Sequence, residues 1–189
     1  MKFHQVLIGL CLLVFSINVS AQKVVEQVDG WFDTFDYEGG FKVLSPGELT
    51  QKVDSVETAI GLMAYHQFVY QENPENIENV VYMITYVDYP EGTITEDSTA
   101  LLNDFFSATI ESAAQSVGGM LVYSDPYEQQ GHPGRVWKIH YLEGKAAIKT
   151  VAFVAGRRFF TIQTSTFRKN ALDRDIDKFM ESFRLIKDF

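Results

Sequence analysis

The sequence predicts an α+β fold in which an antiparallel sheet of about six to eight strands is sandwiched by two main helices. Three observations carry that prediction. Apolar runs with strand character, punctuated by glycine and proline, recur between residues 39 and 90 and again between 119 and 167. Two other stretches, 95 to 117 and 170 to 183, space their apolar residues at three- and four-residue steps. Finally, the segment "AIGLMAYHQFVYQ" is apolar on both faces, so its sheet needs cover above and below.

The elements follow in chain order. Residues 1 to 21 combine Lys2, an apolar run from Val6 to Ile17 and small residues ending at Ala21, the layout of a secretory signal peptide cut after Ala21. Cys11 follows Leu10, where a lipoprotein signal would carry a small residue, which disfavours lipid anchoring. With that leader removed the chain has no cysteine, hence no disulfide, thiol catalysis or cysteine metal site. Residues 22 to 38 are expected as an N-terminal lead-in to one domain spanning 39 to 189. "GGFKVLSPG" is a short strand stopped by proline and glycine, "LTQKVDSVET" and "AIGLMAYHQFVYQ" are two strands joined near Thr58 and Ala59, and "NVVYMITYVDYP" is a fourth. In "AIGLMAYHQFVYQ", Ile60, Leu62, Ala64, Phe68 and Tyr70 point one way, and Met63, Tyr65 and Val69 the other.

In the first helix, "TEDSTALLNDFFSATIESAAQSV", Leu101, Leu102, Phe105, Phe106, Thr109, Ile110, Ala113 and Val117 recur at three- and four-residue steps, with Thr95 or Asp97 as its cap and Gly118-Gly119 as its end. A four-strand meander follows through "GMLVYSDPYEQQ", "RVWKIHYL", "AAIKTVAFV" and "RFFTIQTSTF". Its links are "GHPG", "EGK" and "AGR", the last two read as tight turns with glycine at positive φ. In "HPGR", Pro133 and Gly134 suit the central positions of a type II turn. The second helix, "NALDRDIDKFMESF", sets Leu172, Ile176, Phe179, Met180 and Phe183 on one stripe behind an Asn170 cap.

Chemistry-bearing residues are sparse. The histidines after the leader, His66, His132 and His140, show no metal-ligand spacing, and serine-hydrolase and phosphate-loop motifs are absent. Asp88 is read as the cap of the "DYPEG" turn, and "DRDID" lacks the glycine and terminal glutamate of a calcium loop. No catalytic residue, metal ligand or cofactor is therefore assigned. With 46% hydrophobic and 14% aromatic residues the chain folds rather than staying disordered, and a net charge of −9 argues against nucleic acid as partner. No apolar run reaches the roughly 20 residues of a membrane span.

That acidic average hides a division. Residues 22 to 130 hold three Lys/Arg against nineteen Asp/Glu, whereas residues 131 to 169 hold eight Lys/Arg and only Glu143. A tight "EGK" hairpin puts Lys138 and His140 on the same face as Lys149, with the two lysines close across the strands, and Arg158 joins them if the register allows. Lys138, His140, Lys149 and Arg158 are the candidate site for an anion or acidic partner. Against it stands internal neutralisation by acidic groups such as Asp173 and Asp177.

"GGFKVLSPG", "YMITYVDYPEG", "GHPGR", "GRRFFTIQT" and "FMESFRLI" together resemble the PsbP-like family, small exported proteins related to a photosystem II extrinsic subunit, over most of residues 31 to 187. The resemblance implies an α/β/α sandwich. Its motifs mark a fold rather than a reaction, and no residue here matches a metal site. The reading is an exported, periplasmic or extracellular, non-enzymatic binding or accessory module with a protein or small ligand as partner. The alternative is a small periplasmic enzyme that assembles His66, His140 and Asp88 through the fold.

Overall fold

In chain order a computed structural model, which describes residues 23–58, 60–71, 80–167 and 174–189, contains β1 (Lys23–Val28), β2 (Trp31–Asp36), β3 (Phe41–Ser45), β4 (Thr50–Thr58), β5 (Gly61–Gln71) and β6 (Val81–Asp88). Helix α1 (Thr99–Ser116) follows, then β7 (Met120–Gln129), β8 (His132–Tyr141), β9 (Ala146–Ala155), β10 (Arg158–Phe167), α2 (Arg174–Ser182) and β11 (Arg184–Leu185). The leader, the Asn170 cap, Leu172 and Asp173 lie outside the described residues. No helix among the described residues is long and apolar enough to cross a membrane.

The strands form two antiparallel sheets. One has seven strands in the order β4-β5-β6-β10-β9-β8-β7, within the expected range, and the other has four in the order β1-β2-β3-β11. The smaller sheet is not anticipated by the sequence reading, because residues 22 to 38 lack a long apolar run. They form β1 and β2 rather than a bare lead-in: Trp31 and Thr34 of β2 are buried, and β2 pairs with β3 from Phe32↔Ser45 to Asp36↔Phe41.

Both faces of the seven-stranded sheet are covered, by different layers. Helix α1 buries Leu102, Phe106 and Ile110 against Val87, Trp137, Ile139, Val154 and Phe159. On the opposite face, Ile176, Phe179 and Met180 of α2 join Phe41 and Val43 of the smaller sheet over Phe68, Tyr86, Phe153 and Phe160. Phe41 meets Phe68 edge-on at 5.1 Å and stacks on Phe183 at 5.4 Å. Each such fully buried ring contributes about 1.5–3 kcal/mol through removal of apolar surface from water.

Four local expectations are corrected. Helix α1 starts later than Thr95: its cap is Ser98, whose hydroxyl accepts from Leu101 N at 3.4 Å, because Pro90, Gly92 and Thr93 first make a separate turn. The apolar start of β5 is covered on one face only, where Met63 is buried on the α1 side. β6 begins its pairing at Tyr65, so Gly61–Ala64 pair with β4 alone and leave Leu62 68% exposed. The "EGK" link is a four-residue loop, Leu142 to Lys145, with positive φ at Leu142, Glu143 and Gly144. The type II turn at Pro133-Gly134 does not form: β8 already begins at His132, and the turn is Gln130-Gly131, with φ of 51° and 91°. Two positive φ values in a two-residue link match the twist of the flanking strands.

Candidate functional site

Strand register decides the fate of the four basic candidates. Lys138 of β8 lies directly opposite Lys149 of β9, and His140 lies opposite Ala147 of β9 and Met120 of β7. Trp137 and Ile139 enter the core beneath α1, so Lys138 and His140 project from the α2 side of the sheet. Lys149 Nζ donates to Asp177 Oδ1 of α2 at 3.2 Å. Lys138 is half-buried and, among the described residues, has no carboxylate within ion-pair distance.

Arg158 is not brought to this group. The two-residue turn Gly156-Arg157 pairs Arg158 with Ala155, whereas Lys149 pairs with Thr164, six residues further along β10 and about 20 Å away at strand rise. Arg158 instead anchors a second, mostly buried centre. Its Nε and Nη2 donate to the two carboxylate oxygens of Asp88 at 2.7 and 2.6 Å, and Nη1 donates to the carbonyls of Glu38 and Gly39 at 2.8 and 2.9 Å. The guanidinium also sits 4.3 Å from the centre of the Tyr86 ring and 5.3 Å from that of Phe189. Asp88 therefore is not a turn cap: both its oxygens serve Arg158 across the β6–β10 ladder.

His66 joins this centre from β5. Its ring stacks on Tyr86 at 4.3 Å, and its Nδ1 lies 3.0 Å from the Tyr86 hydroxyl. The fold thus gathers His66 and Asp88 around Tyr86 and Arg158, while His140, four strands away, stays apart by about 19 Å at sheet spacing. His132 has a separate role. Its Nδ1 pairs with Glu96 Oε2 at 2.9 Å, and Glu96 Oε1 accepts from Gly156 N, so one carboxylate ties the loop before α1 to two hairpin ends. Among the described residues no group of three or more His, Cys, Asp or Glu is arranged to hold a metal ion.

Burial and pairing push the acids of the Arg158 centre in opposite directions. Asp88 is held below the usual carboxylate range, chiefly by its hydrogen bonds from Arg158. Asp36, nearly inaccessible, is raised because burial penalises its charged form more than the hydrogen bond from Gly39 N favours it. Burial likewise raises the Tyr86 phenol and lowers Lys187, whose Nζ donates to the Glu38 carbonyl at 2.9 Å. For Asp36 the sign is clear: a raised folded pKa makes its ionisation oppose folding above that pKa, and the cost vanishes below the unfolded value. Asp36→Asn is therefore expected to raise the thermal midpoint at pH 7 and to leave it unchanged at pH 3, where both states of Asp36 are protonated. A lower midpoint at pH 7 than at pH 3, relative to wild type, would reject this account of Asp36.

Sequence reasoning sets His66 with Asp88 in the enzyme alternative, alongside His140, but misses Asp36, Tyr86 and Arg158 as their neighbours, because these lie far apart in the chain. Asp36, His66, Asp88 and Arg158 meet only through the pairing of β5, β6 and β10 and the docking of the smaller sheet. The one available signal was Arg158 itself, a cation at the head of the apolar strand "RFFTIQTSTF".

No protein-family profile matches the sequence, and no curated protein matches it. Among solved structures, the chain is similar to cyanobacterial PsbP from Synechocystis sp. PCC 6803. The two share 15% identity, with a TM-score of 0.54, over 84% of this chain and 94% of that one. At that identity the likeness establishes architecture alone, and the chain has the PsbP-like α+β fold: a large antiparallel sheet between α1 on one side and α2 with a small second sheet on the other.

Proposed function

We propose that the chain is an exported, non-enzymatic binding module that takes an anion or acidic partner on the α2-side surface around Lys138, His140 and Lys149. One observation carries this reading: Lys138 is a half-buried cation facing a second lysine, with no carboxylate within ion-pair distance of it among the described residues. Like charges directly opposite across strands repel by about 0.2–1 kcal/mol. A fold that keeps both therefore gains from an incoming negative group. Internal neutralisation holds for one member of the pair, since Lys149 is met by Asp177. The leader-like residues 1 to 21 support export.

The enzyme alternative has a specific observation in its favour, the gathering of His66, Asp88 and the perturbed Asp36 and Tyr86 in one centre. The bonding of that centre argues against it. Arg158 spends four hydrogen bonds on Asp88 and two backbone carbonyls, and both Asp88 oxygens are taken, an arrangement that clamps the smaller sheet to the larger.

The two lysines separate the readings by experiment. Lys138→Gln is expected to raise stability by about 0.2–1 kcal/mol in urea unfolding. Lys149→Gln, which loses only an exposed pair, is expected to change it by less than about 1 kcal/mol. Both substitutions are expected to weaken binding of soluble polyglutamate at least about threefold, with a smaller salt dependence than wild type. A marked loss of stability in Lys138→Gln, or unchanged polyglutamate binding in both variants, would reject the site.

A further inference from the structure

The two edges of the seven-stranded sheet are unequally protected. An edge strand presents unpaired N–H and C=O groups that recruit another strand unless charges or proline blunt it. Edge strand β4 carries Lys52, Asp54 and Glu57, with Lys52 and Asp54 paired at 2.6 Å. Edge strand β7 carries Asp125, Pro126 and Glu128 in its second half only. Its first five residues, Met120 to Ser124, have neither charge nor proline and are all exposed, Met120 to 71%, and a bulge at Val122, between Leu121 and Tyr123, is the one irregularity that interrupts them.

The surroundings of that open stretch differ on its two sides. Leu121 and Ser124, opposite Ile139 and Trp137, look toward α1 and line a groove of about 390 Å³ with Ile110, Glu111, Ala114 and Gly119. Met120 and Tyr123, opposite His140 and Lys138, look to the α2 side, where the cross-strand row runs Tyr123, Lys138, Lys149. An added strand would set a side chain about 10 Å from the Lys138 backbone, within reach of an extended lysine meeting a glutamate. We infer that the free edge of β7 over Met120–Ser124 accepts an extended segment of an acidic partner protein as an eighth strand. Alternate apolar side chains of that segment enter the α1 groove, and its carboxylates face Lys138.

This inference rests on the proposed basic site and names its partner. Backbone pairing supplies the affinity, and the two faces supply specificity. A second copy of the chain is the poorer occupant, because it brings an identical uncharged edge, its own lysine pair and the same net charge of −9.

The test uses a capped heptapeptide of alternating valine and glutamate, the same peptide with lysine in place of glutamate, and a third with its outward-bonding amides N-methylated. The valine–glutamate peptide is expected to bind saturably and to slow hydrogen exchange at the outward-facing amides among residues 120 to 124. The lysine peptide is expected to bind at least about tenfold more weakly, and the N-methylated one not at all. In the protein, Val122→Pro, at the bulged position of the edge, is expected to abolish peptide binding; should that variant unfold, the N-methylated peptide still decides the matter. Unslowed exchange at these amides, equal binding of the lysine or N-methylated peptide, or self-association through β7 overturns strand addition. Polyglutamate binding that depends on Lys138 without slowed edge exchange overturns strand addition alone, whereas polyglutamate binding indifferent to Lys138 overturns the basic site beneath it as well.

Discussion

Arg158→Ala is expected to lower the free energy of unfolding by about 2–4 kcal/mol in urea denaturation. Truncation leaves Asp88 without its cation and the Glu38 and Gly39 carbonyls without their donor. A fully buried pair broken this way costs about 3–5 kcal/mol, and the figure is tempered because the Asp88 side chain is 37% exposed. Packing is lost too, since the guanidinium lies over Tyr86. Arg158→Lys keeps the charge but cannot make the forked bond, so its loss is expected to be about half as large. The pH dependence distinguishes the charge contribution from packing. Asp88 has a depressed folded pKa, so its contribution is present above the unfolded value and disappears as pH falls through the folded one. The gap between wild type and Arg158→Ala is therefore expected to narrow at strongly acidic pH. A loss under about 1 kcal/mol, or a gap that widens in acid, would show that Arg158 does not clamp the two sheets.

The parts of the fold legible in the sequence are those set by local periodicity. The stripe Leu102, Phe106, Ile110 identifies α1, and Ile176, Phe179, Met180 identify α2, because a helix repeats its buried face within one or two turns. The Lys138–Lys149 pairing was equally legible, since a short hairpin loop fixes which residues face each other. What could not be read depends on contacts between distant segments. Strands β1 and β2 are short and carry Glu26, Asp33 and Asp36, so only their pairing with β3 identifies them as a sheet. Arg158 was grouped with the lysines on charge, yet its position in the β10 ladder sends it to Asp88 at the opposite end. The two-sided apolar character of β5 likewise predicts cover along its whole length. The overhang of the β4–β5 hairpin beyond β6 leaves Leu62 in solvent instead.

The stretch "GHPGR" yields the second large effect, and it follows from why each small residue is there. In a type II turn Gly134 would be needed for positive φ, and Gly131 would be replaceable. The structure reverses the two. Gly131 holds the positive φ of 91° in the hairpin and has open space around it. Gly134 is buried inside β8, where a Cβ would collide with the carbonyl oxygen of Ala152 and lie 2.8 Å from Phe153 Cβ on β9. Both obstacles are part of the neighbouring strand rather than the tip of a flexible side chain, so relief requires moving β9 away from β8. Pro133 fits the same geometry: the β8–β9 ladder begins at Gly134, so its missing N–H takes no bond from that side. Gly134→Ala is therefore expected to cost about 2–3 kcal/mol through overpacking, against about 1 kcal/mol for Gly131→Ala from its backbone conformation. Thermal and urea unfolding of the two variants side by side provide the measurement. A smaller loss for Gly134→Ala than for Gly131→Ala would mean that β8 and β9 do not approach closely at this point, and the register that sets Lys138 against Lys149 would fall with it.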